Sequence, residues 1–181
     1  MRRFKARGDP ETEAAVMALA REHGYPVPRV QEVLPNGLVL QRFQGPTMMA
    51  DSRLRPWRIP RHARLLADLH DALHRVPSPD GGVLIHLDLH PKNVLLARRG
   101  PIVIDWANAR GGDPALDCAL TWVILMTSAG RAGRAFARPF ARHIDVRTAL
   151  PEAVAFRVAD RNVTDAERTA ARQLLARQPL Q

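Results

Sequence analysis

The amino-acid sequence predicts an α+β fold in two parts, and three observations support this. An Asn36-Gly37 pair between two strand-like segments predicts a β-hairpin. A regular apolar stripe over residues 59–76 predicts a long amphipathic helix. The remaining strand-like and helical segments occur in separate runs along the chain, which favours segregated sheets and helices.

The first element predicted is a helix that begins at Asp9. The Asp9 side chain can cap the helix, and Pro10 suits its first turn because proline has no amide hydrogen to leave unbonded. Glu11 and Glu13 favour the positive end of the helix dipole. Gly24 then ends the helix.

The hairpin follows, with strands predicted at 28–34 and 38–43. The next segment, Gln44-Gly45-Pro46, interrupts the strand pattern and predicts a linker. We therefore expect a hinge near Gly45, between a first part of the chain and the rest.

The later elements alternate between short strands and helices. After the 59–76 helix, three short strands are predicted at 83–85, 94–97 and 102–104. A helix over 114–126 is apolar on all sides, which predicts burial. The remainder is predicted to be helical with breaks near Pro139 and Pro151, and Thr164 with Glu167 forms a capping box.

Composition limits the compartment and the partners. A single cysteine, Cys118, excludes a disulfide scaffold and predicts a cytoplasmic protein, with Cys118 buried as a small apolar group. No apolar run approaches the roughly 20 residues of a membrane span, so a membrane partner is not expected. The net charge of +9 would permit a nucleic-acid binder. However, no recognition module or interleaved aromatic pattern is present, so a nucleic-acid partner is not expected.

One segment carries the pattern of a catalytic site. The run HLDLHPKNVLL at 86–96 is followed by Ile104-Asp105-Trp106. Asp88, Asn93 and Asp105 are hard oxygen donors beside apolar strands that would fix them in place. Phosphoryl transfer needs such a set, with one carboxylate at the acceptor hydroxyl and the others on the metal. The alternative, a transition-metal site at His86-x-Asp88-x-His90, lacks a further ligand cluster.

These motifs resemble those of the aminoglycoside phosphotransferase and choline kinase-like group, whose members have a protein-kinase-like fold. The resemblance rests on HLDLHPKNVLL, on IDWANARGGDPALDCA, and on the upstream runs EAAVMALAREHGYPVPRV and GLVLQRFQGPTM. They occur in the expected order over about residues 2–127.

The resemblance implies a role for each matching residue of the catalytic segment. Asp88 corresponds to the catalytic base at the acceptor hydroxyl, and Asn93 and Asp105 correspond to the ligands of Mg²⁺. Asp117 corresponds to a structural carboxylate that holds the backbone of the catalytic loop, and His86 to a scaffold of that loop. ATP is the implied phosphate donor.

The resemblance also implies nucleotide-binding residues near the N-terminus. Glu13 corresponds to a helix glutamate that pairs with a basic phosphate-holding residue, for which the candidates are Arg2, Arg3 and Lys5. The adenine-binding hinge corresponds to the segment after the hairpin, namely Gln41, Arg42 and Phe43.

The domains implied are a remnant of a nucleotide-binding small lobe over 1–43 and a catalytic and substrate-binding large lobe over 44–181. A Gly-rich phosphate loop would precede Met1, so we expect an N-terminally truncated member of the family. Its exposed strand edges would favour a homodimer.

The implied function is ATP- and Mg²⁺-dependent transfer of the γ-phosphate to a hydroxyl of a small molecule. The acceptor stays open, because an arginine-rich C-terminal region does not suit a polycationic aminoglycoside. The alternative is a catalytically inactive kinase-like remnant that acts as a binding module.

Overall fold

The computed structural model describes the backbone of residues 2–5 and the complete residues 9–176. This part of the chain has an α+β architecture of helices and small antiparallel sheets. The strands are β1 (Arg2–Lys5), β2 (Val30–Leu34), β3 (Gly37–Leu40), β4 (Val83–Ile85), β5 (Val94–Ala97), β6 (Gly100–Val103) and β7 (Arg110–Gly112). The helices are α1 (Pro10–Glu22), α2 (Met48–Leu54), α3 (Ile59–Leu73), α4 (Pro114–Thr127), α5 (Gly130–Phe140), α6 (Leu150–Ala159) and α7 (Asp165–Ala176).

Antiparallel pairing builds three small sheets from these strands. The first has the order β1-β3-β2, the second pairs β4 with β7, and the third is the β5–β6 hairpin. The predicted hairpin around Asn36 is confirmed, because β2 and β3 pair with Leu34 opposite Gly37. Every residue of the central strand β3 is buried, since β3 is covered by α1 as well as flanked by two strands.

The predicted helix starts are confirmed at both ends of the chain. The Asp9 side chain accepts hydrogen bonds from the amides of Glu11 and Thr12 and so caps α1. At α7, the Thr164 hydroxyl accepts from the Glu167 amide at 3.3 Å, and the Glu167 carboxylate accepts in return from the Thr164 amide at 3.0 Å. This reciprocal pair is a capping box.

The 59–76 and 114–126 predictions correspond to α3 and α4. Helix α3 ends at Leu73 rather than at residue 76, because the Val76 amide bonds back to the Leu73 carbonyl in a turn. Helix α4 is buried on most of its surface, as its apolar sequence predicts, since it packs against α5, α6 and α7.

The predicted linker, Gln44-Gly45-Pro46, has no regular secondary structure but is fastened to β5, and the hinge near Gly45 stays a prediction. The Leu96 amide donates to the Pro46 carbonyl at 2.9 Å, and Thr47 forms a bridge with Leu95. A Cβ placed on Gly45 would lie 2.2 Å from the Leu96 carbonyl oxygen, so only glycine allows this approach. Helix α2, which no sequence pattern predicted, follows at once and continues the docked segment.

One large cluster of buried side chains joins the first sheet to the helices, and it includes Met17, Leu38, Leu66, Trp106 and Phe136. A smaller cluster lies between α4, α6 and α7. Residues on both sides of position 43 share the large cluster, and the boundary between lobes at 43/44 stays a prediction. None of the described helices combines the length and the apolar character that crossing a bilayer requires.

Candidate active site

The β5–β6 hairpin brings two of the predicted site residues together. Asn93 precedes β5 and Asp105 follows β6 after Ile104, and the hairpin register pairs Val94 with Val103. The pairing continues one step further, because the Ile104 amide donates to the Asn93 carbonyl at 2.9 Å. The antiparallel ladder thus places an amide and a carboxylate at the same end of the hairpin.

The loop between β4 and β5, which carries Asp88, is held in place by α4. The Asp117 carboxylate accepts from the amides of His86 at 3.1 Å and Leu87 at 2.7 Å. The Thr121 hydroxyl donates to the Leu89 carbonyl at 2.8 Å. The predicted structural role of Asp117 is therefore confirmed, and α4 fixes the loop backbone at three points.

Asp88 is positioned by contacts to both of its carboxylate oxygens. The Asn93 side-chain amide donates to Asp88 Oδ2 at 3.0 Å and to the Asp88 carbonyl at 3.0 Å. His90 Nδ1 accepts from the Lys92 amide, so His90 Nε2 carries the proton and faces Asp88 Oδ1 at 3.3 Å. Because both Asn93 amide hydrogens are directed to Asp88, the Asn93 side-chain oxygen is left as an acceptor or a metal ligand.

These contacts determine the charge of Asp88. Burial by itself would raise the pKa of Asp88, but the hydrogen bonds from His90 and Asn93 outweigh it and hold the pKa below its ordinary value. Asp88 is therefore ionised at neutral pH. It can accept a hydrogen bond from an incoming hydroxyl group and orient that group.

Two residues of the site have left-handed backbone conformations. Leu87 has φ of 60° and Asp105 has φ of 67°, and they are the non-glycine residues with positive φ in the described chain. Such conformations are costly for side chains other than glycine and persist where the surrounding structure imposes them. At Leu87, the bond from its amide to Asp117 fixes the backbone. Asp105 has this conformation just after the β5–β6 hairpin, and its side chain lines the cleft.

Asp88, Asn93 and Asp105 line one cleft of about 580 Å³. Its walls come from the β4–β5 loop, the end of the β5–β6 hairpin, α4 and α6. The other charged or amide side chains that line it are Lys92, Asn108, Arg157, Asp160 and Asn162. The cleft therefore combines oxygen ligands with cationic side chains in the same space.

A comparison with protein-family models adds an independent result to this geometry. Residues 50–156, more than half of the chain, match the phosphotransferase enzyme family. The chain belongs to this phosphotransferase family. The resemblance to the aminoglycoside phosphotransferase and choline kinase-like group is thereby confirmed. Among curated proteins, none matches the chain significantly.

The match to the phosphotransferase family includes Asp88, Asn93 and Asp105 but not the predicted nucleotide-binding residues. Of those, Glu13 lies close to the site. Burial and the nearby Asp105 carboxylate raise the pKa of Glu13, and the Trp106 backbone forms a hydrogen bond with it. The structure therefore places the Glu13 carboxyl group near the Asp105 carboxylate.

The structure does not bring the predicted hinge residues into this cleft. Gln41, Arg42 and Phe43 follow β3 and are absent from the cleft lining. The Gln41 amide already donates to the Arg29 carbonyl at 2.8 Å. The side chains of Arg2, Arg3 and Lys5 lie outside the described part of the chain. The adenine-binding and phosphate-holding roles of these residues stay predictions.

The histidines next to Asp88 do not form the alternative transition-metal site. His86 is fully buried and packs on Trp106 with ring centroids 4.8 Å apart. His90 is instead bonded within the loop, through Lys92 and Asp88. The two rings therefore serve the packing and the hydrogen bonding of the loop.

Two polar residues of the site were missed by sequence reasoning. Thr121 lies in the apolar helix α4, where a buried hydroxyl is itself a signal of a specific hydrogen bond. Arg157 lies in α6, and only 14% of its side chain is exposed. It donates to the Ser128 hydroxyl at 2.6 Å and lies 3.6 Å from the Glu167 carboxylate. A lone arginine in a mostly apolar helix could have indicated this inward orientation.

Proposed function

We propose that the protein is an ATP- and Mg²⁺-dependent phosphotransferase with a protein-kinase-like fold, which transfers the γ-phosphate to a hydroxyl group of a small molecule. Membership of the phosphotransferase family supports this proposal. The observation that supports it best is the shared cleft of Asp88, Asn93 and Asp105, with Asp88 held ionised by its neighbours.

The donor set fits a magnesium ion. Asp105 offers an exposed carboxylate, and Asn93 offers its side-chain oxygen because its amide hydrogens bond to Asp88. Such hard oxygen ligands are those that Mg²⁺ prefers. When bound, Mg²⁺ would neutralise charge on the phosphate oxygens of the nucleotide.

Within this proposal, Asp88 accepts the hydrogen bond of the acceptor hydroxyl and orients its oxygen toward the phosphate. The low pKa of Asp88 suits orientation and a late proton transfer better than early abstraction. Asn93 and His90 keep the carboxylate in one rotamer, and the α4 contacts keep the loop from shifting. Positioning of this kind is the main demand of phosphoryl transfer.

The acceptor is proposed to be a small hydroxylated or anionic molecule. Lys92 and Arg157 supply positive charge to the cleft alongside its acidic residues. Arg157, fixed by Ser128 and Glu167, is well placed to contact an anionic or polar group of the acceptor.

Thermal unfolding with nucleotide tests the proposed metal and nucleotide site. ATP with Mg²⁺ should stabilise the protein, by about 2.7 kcal/mol at a ligand concentration 100 times Kd. Asp105→Ala should lose this stabilisation, whereas Asp68→Ala, at an exposed position of α3, should keep it. The absence of any shift with millimolar MgATP in a folded sample would contradict the proposal. Binding without turnover on any acceptor would favour the inactive binding module.

A further inference from the structure

A second cluster of ligand-type side chains lies behind the catalytic loop, between α3 and α4. His70 lies in the last turn of α3, and His74, four residues later, caps the C-terminal end of that helix on the same side. Cys118 faces them from α4. Ligand atoms of these three side chains all lie within 4.8 Å of one another. None of the three lines the catalytic cleft.

His70 has a buried nitrogen that no hydrogen bond explains. The residue is 0% exposed, and Nδ1 has no hydrogen-bond partner among the described residues. Its other nitrogen, Nε2, lies 3.2 Å from the Thr121 hydroxyl, which already gives its proton to the Leu89 carbonyl. Nε2 is therefore the donor, and in the neutral ring Nδ1 carries a lone pair. That lone pair faces Asp117 Oδ2 at 3.4 Å, which is repulsive unless a proton or a metal cation lies between them.

Asp117 lies beside both histidine rings. Asp117 Oδ2 lies 3.0 Å from His74 Nε2 and 3.4 Å from His70 Nδ1. Its negative charge favours a cation at the cluster of His70, His74 and Cys118. Two imidazoles and one thiolate form a ligand set that suits Zn²⁺ rather than Mg²⁺.

We propose that His70, His74 and Cys118 bind one Zn²⁺ ion that fastens α3 to α4 beneath the catalytic loop, next to the Asp117 carboxylate. Binding releases the proton of the Cys118 thiol to solvent. The proton of His74 moves from Nε2 to Nδ1 by exchange with solvent, which frees the Nε2 lone pair for the metal. The ion enters from the His74 side, because 10% of that side chain is exposed while His70 and Asp117 are fully buried. Asp117 keeps its bonds to the His86 and Leu87 amides, so the loop stays fastened to α4 when the ion binds.

Cobalt substitution tests this site directly. Cys118 is the single cysteine, so a thiolate-to-cobalt charge-transfer band can arise from this residue alone. Titration of the tag-free, metal-depleted protein with Co²⁺ should produce that band and saturate at one ion per chain. Zn²⁺ should abolish the band by displacement, and Cys118→Ser should not form it.

Matched variants separate this site from adventitious binding and from the catalytic cleft. His143→Gln changes an exposed histidine and should keep the band. Asp105→Ala should keep it as well, since the two sites share no ligand, so a failed nucleotide test would not count against the zinc site. The proposal is overturned if wild-type protein gives no band, or if Cys118→Ser binds Co²⁺ or Zn²⁺ as tightly as wild type. Those results would leave His70 and Asp117 in direct contact with no metal between them.

Discussion

Asp88 shows how a few contacts define the chemistry of one residue. Hydrogen bonds from Asn93 and His90 occupy both of its carboxylate oxygens and keep it ionised despite its burial. The same Asn93 amide that fixes Asp88 leaves its own oxygen for another ligand. In the proposed function, this one side chain would link the position of the acceptor hydroxyl to the position of the metal.

Substitution of Asp88 should separate catalysis from nucleotide binding. Asp88→Asn keeps the shape of the side chain but removes the charge that accepts the hydroxyl hydrogen bond. We expect kcat to fall by about 10²–10⁴, while the thermal shift with MgATP stays near the wild-type value. Equal turnover in Asp88→Asn and wild type, on any acceptor that supports activity, would refute the assigned role.

The pH dependence of stability should reflect two neighbouring residues, Asp51 in α2 and His62 in α3. The Asp51 carboxylate lies 3.7 Å from His62 Nε2. Burial lowers the pKa of His62 below its ordinary value of 6.5. Burial would raise the pKa of Asp51, but Arg58 and Arg55 outweigh it and hold the pKa below 3.8. For both groups, the unfolded chain binds more protons than the folded chain at a pH between the two pKa values. The stability that each group contributes is therefore present above its unfolded pKa and is lost as the pH falls through its folded pKa.

Urea unfolding at pH 7 and pH 5.5 measures the His62 contribution, because Asp51 titrates only at lower pH. Burial also lowers the pKa of His86, which acts in the same direction, so a variant is needed to isolate His62. Wild type should be less stable at pH 5.5, and His62→Asn should show a smaller difference between the two pH values. The exposed-residue variant His143→Gln should show the wild-type difference. An unchanged or larger difference in His62→Asn would contradict a lowered pKa for His62.

At the scale of the elements, the segment before α2 shows how a linker pattern can be fastened to a distant strand. Gln, Gly and Pro together predicted a hinge, yet the Pro46 carbonyl and Thr47 bond to β5. The close approach of Gly45 to Leu96 depends on a partner far along the chain. No local pattern contains that information.

Gly45→Ala should therefore destabilise the protein. The new Cβ would lie 2.2 Å from the Leu96 carbonyl oxygen, and the backbone would have to shift to relieve the overlap. We expect a loss of about 1–3 kcal/mol in the free energy of unfolding. Gly100→Ala is the control, because Gly100 also has a positive φ but has open space around its Cβ position. If both variants lose the same stability, backbone strain rather than the docked contact explains the effect.

For the molecule as a whole, the large core cluster crosses the predicted boundary between lobes. Met17 and Leu38 lie before position 43, and Leu66, Trp106 and Phe136 lie after it, in one continuous cluster. A core shared in this way couples the unfolding of the two parts.

Unfolding should accordingly be a single cooperative transition over the described chain. Far-ultraviolet circular dichroism follows the helices. Tryptophan fluorescence follows Trp106, which is 1% exposed in the core, and Trp122, which packs against the core. The two signals should give the same midpoint in urea. Trp57→Phe removes the fluorescence of an exposed tryptophan, so that the remaining signal reports the tryptophans packed in the core. It leaves the core residues unchanged. Separate midpoints would show that the two lobes unfold independently.

Local sequence patterns were sufficient for the elements and residues whose partners are neighbours in the chain. The Asn-Gly hairpin, the caps at Asp9 and Thr164, and the grouping of Asp88, Asn93 and Asp105 in one cleft are all encoded within short spans. Hydrogen bonds and side-chain periodicity can be recognised in such spans because the interacting residues are close in sequence.

The contacts that join distant segments became visible only in the folded chain. They place Asp117 under the catalytic loop, orient Arg157 into the cleft, fasten Gly45 to β5 and gather His70 with Cys118. Each of these contacts pairs residues from different elements. Their geometry depends on how helices and strands pack, and packing follows from the burial of the whole core rather than from any short stretch of sequence.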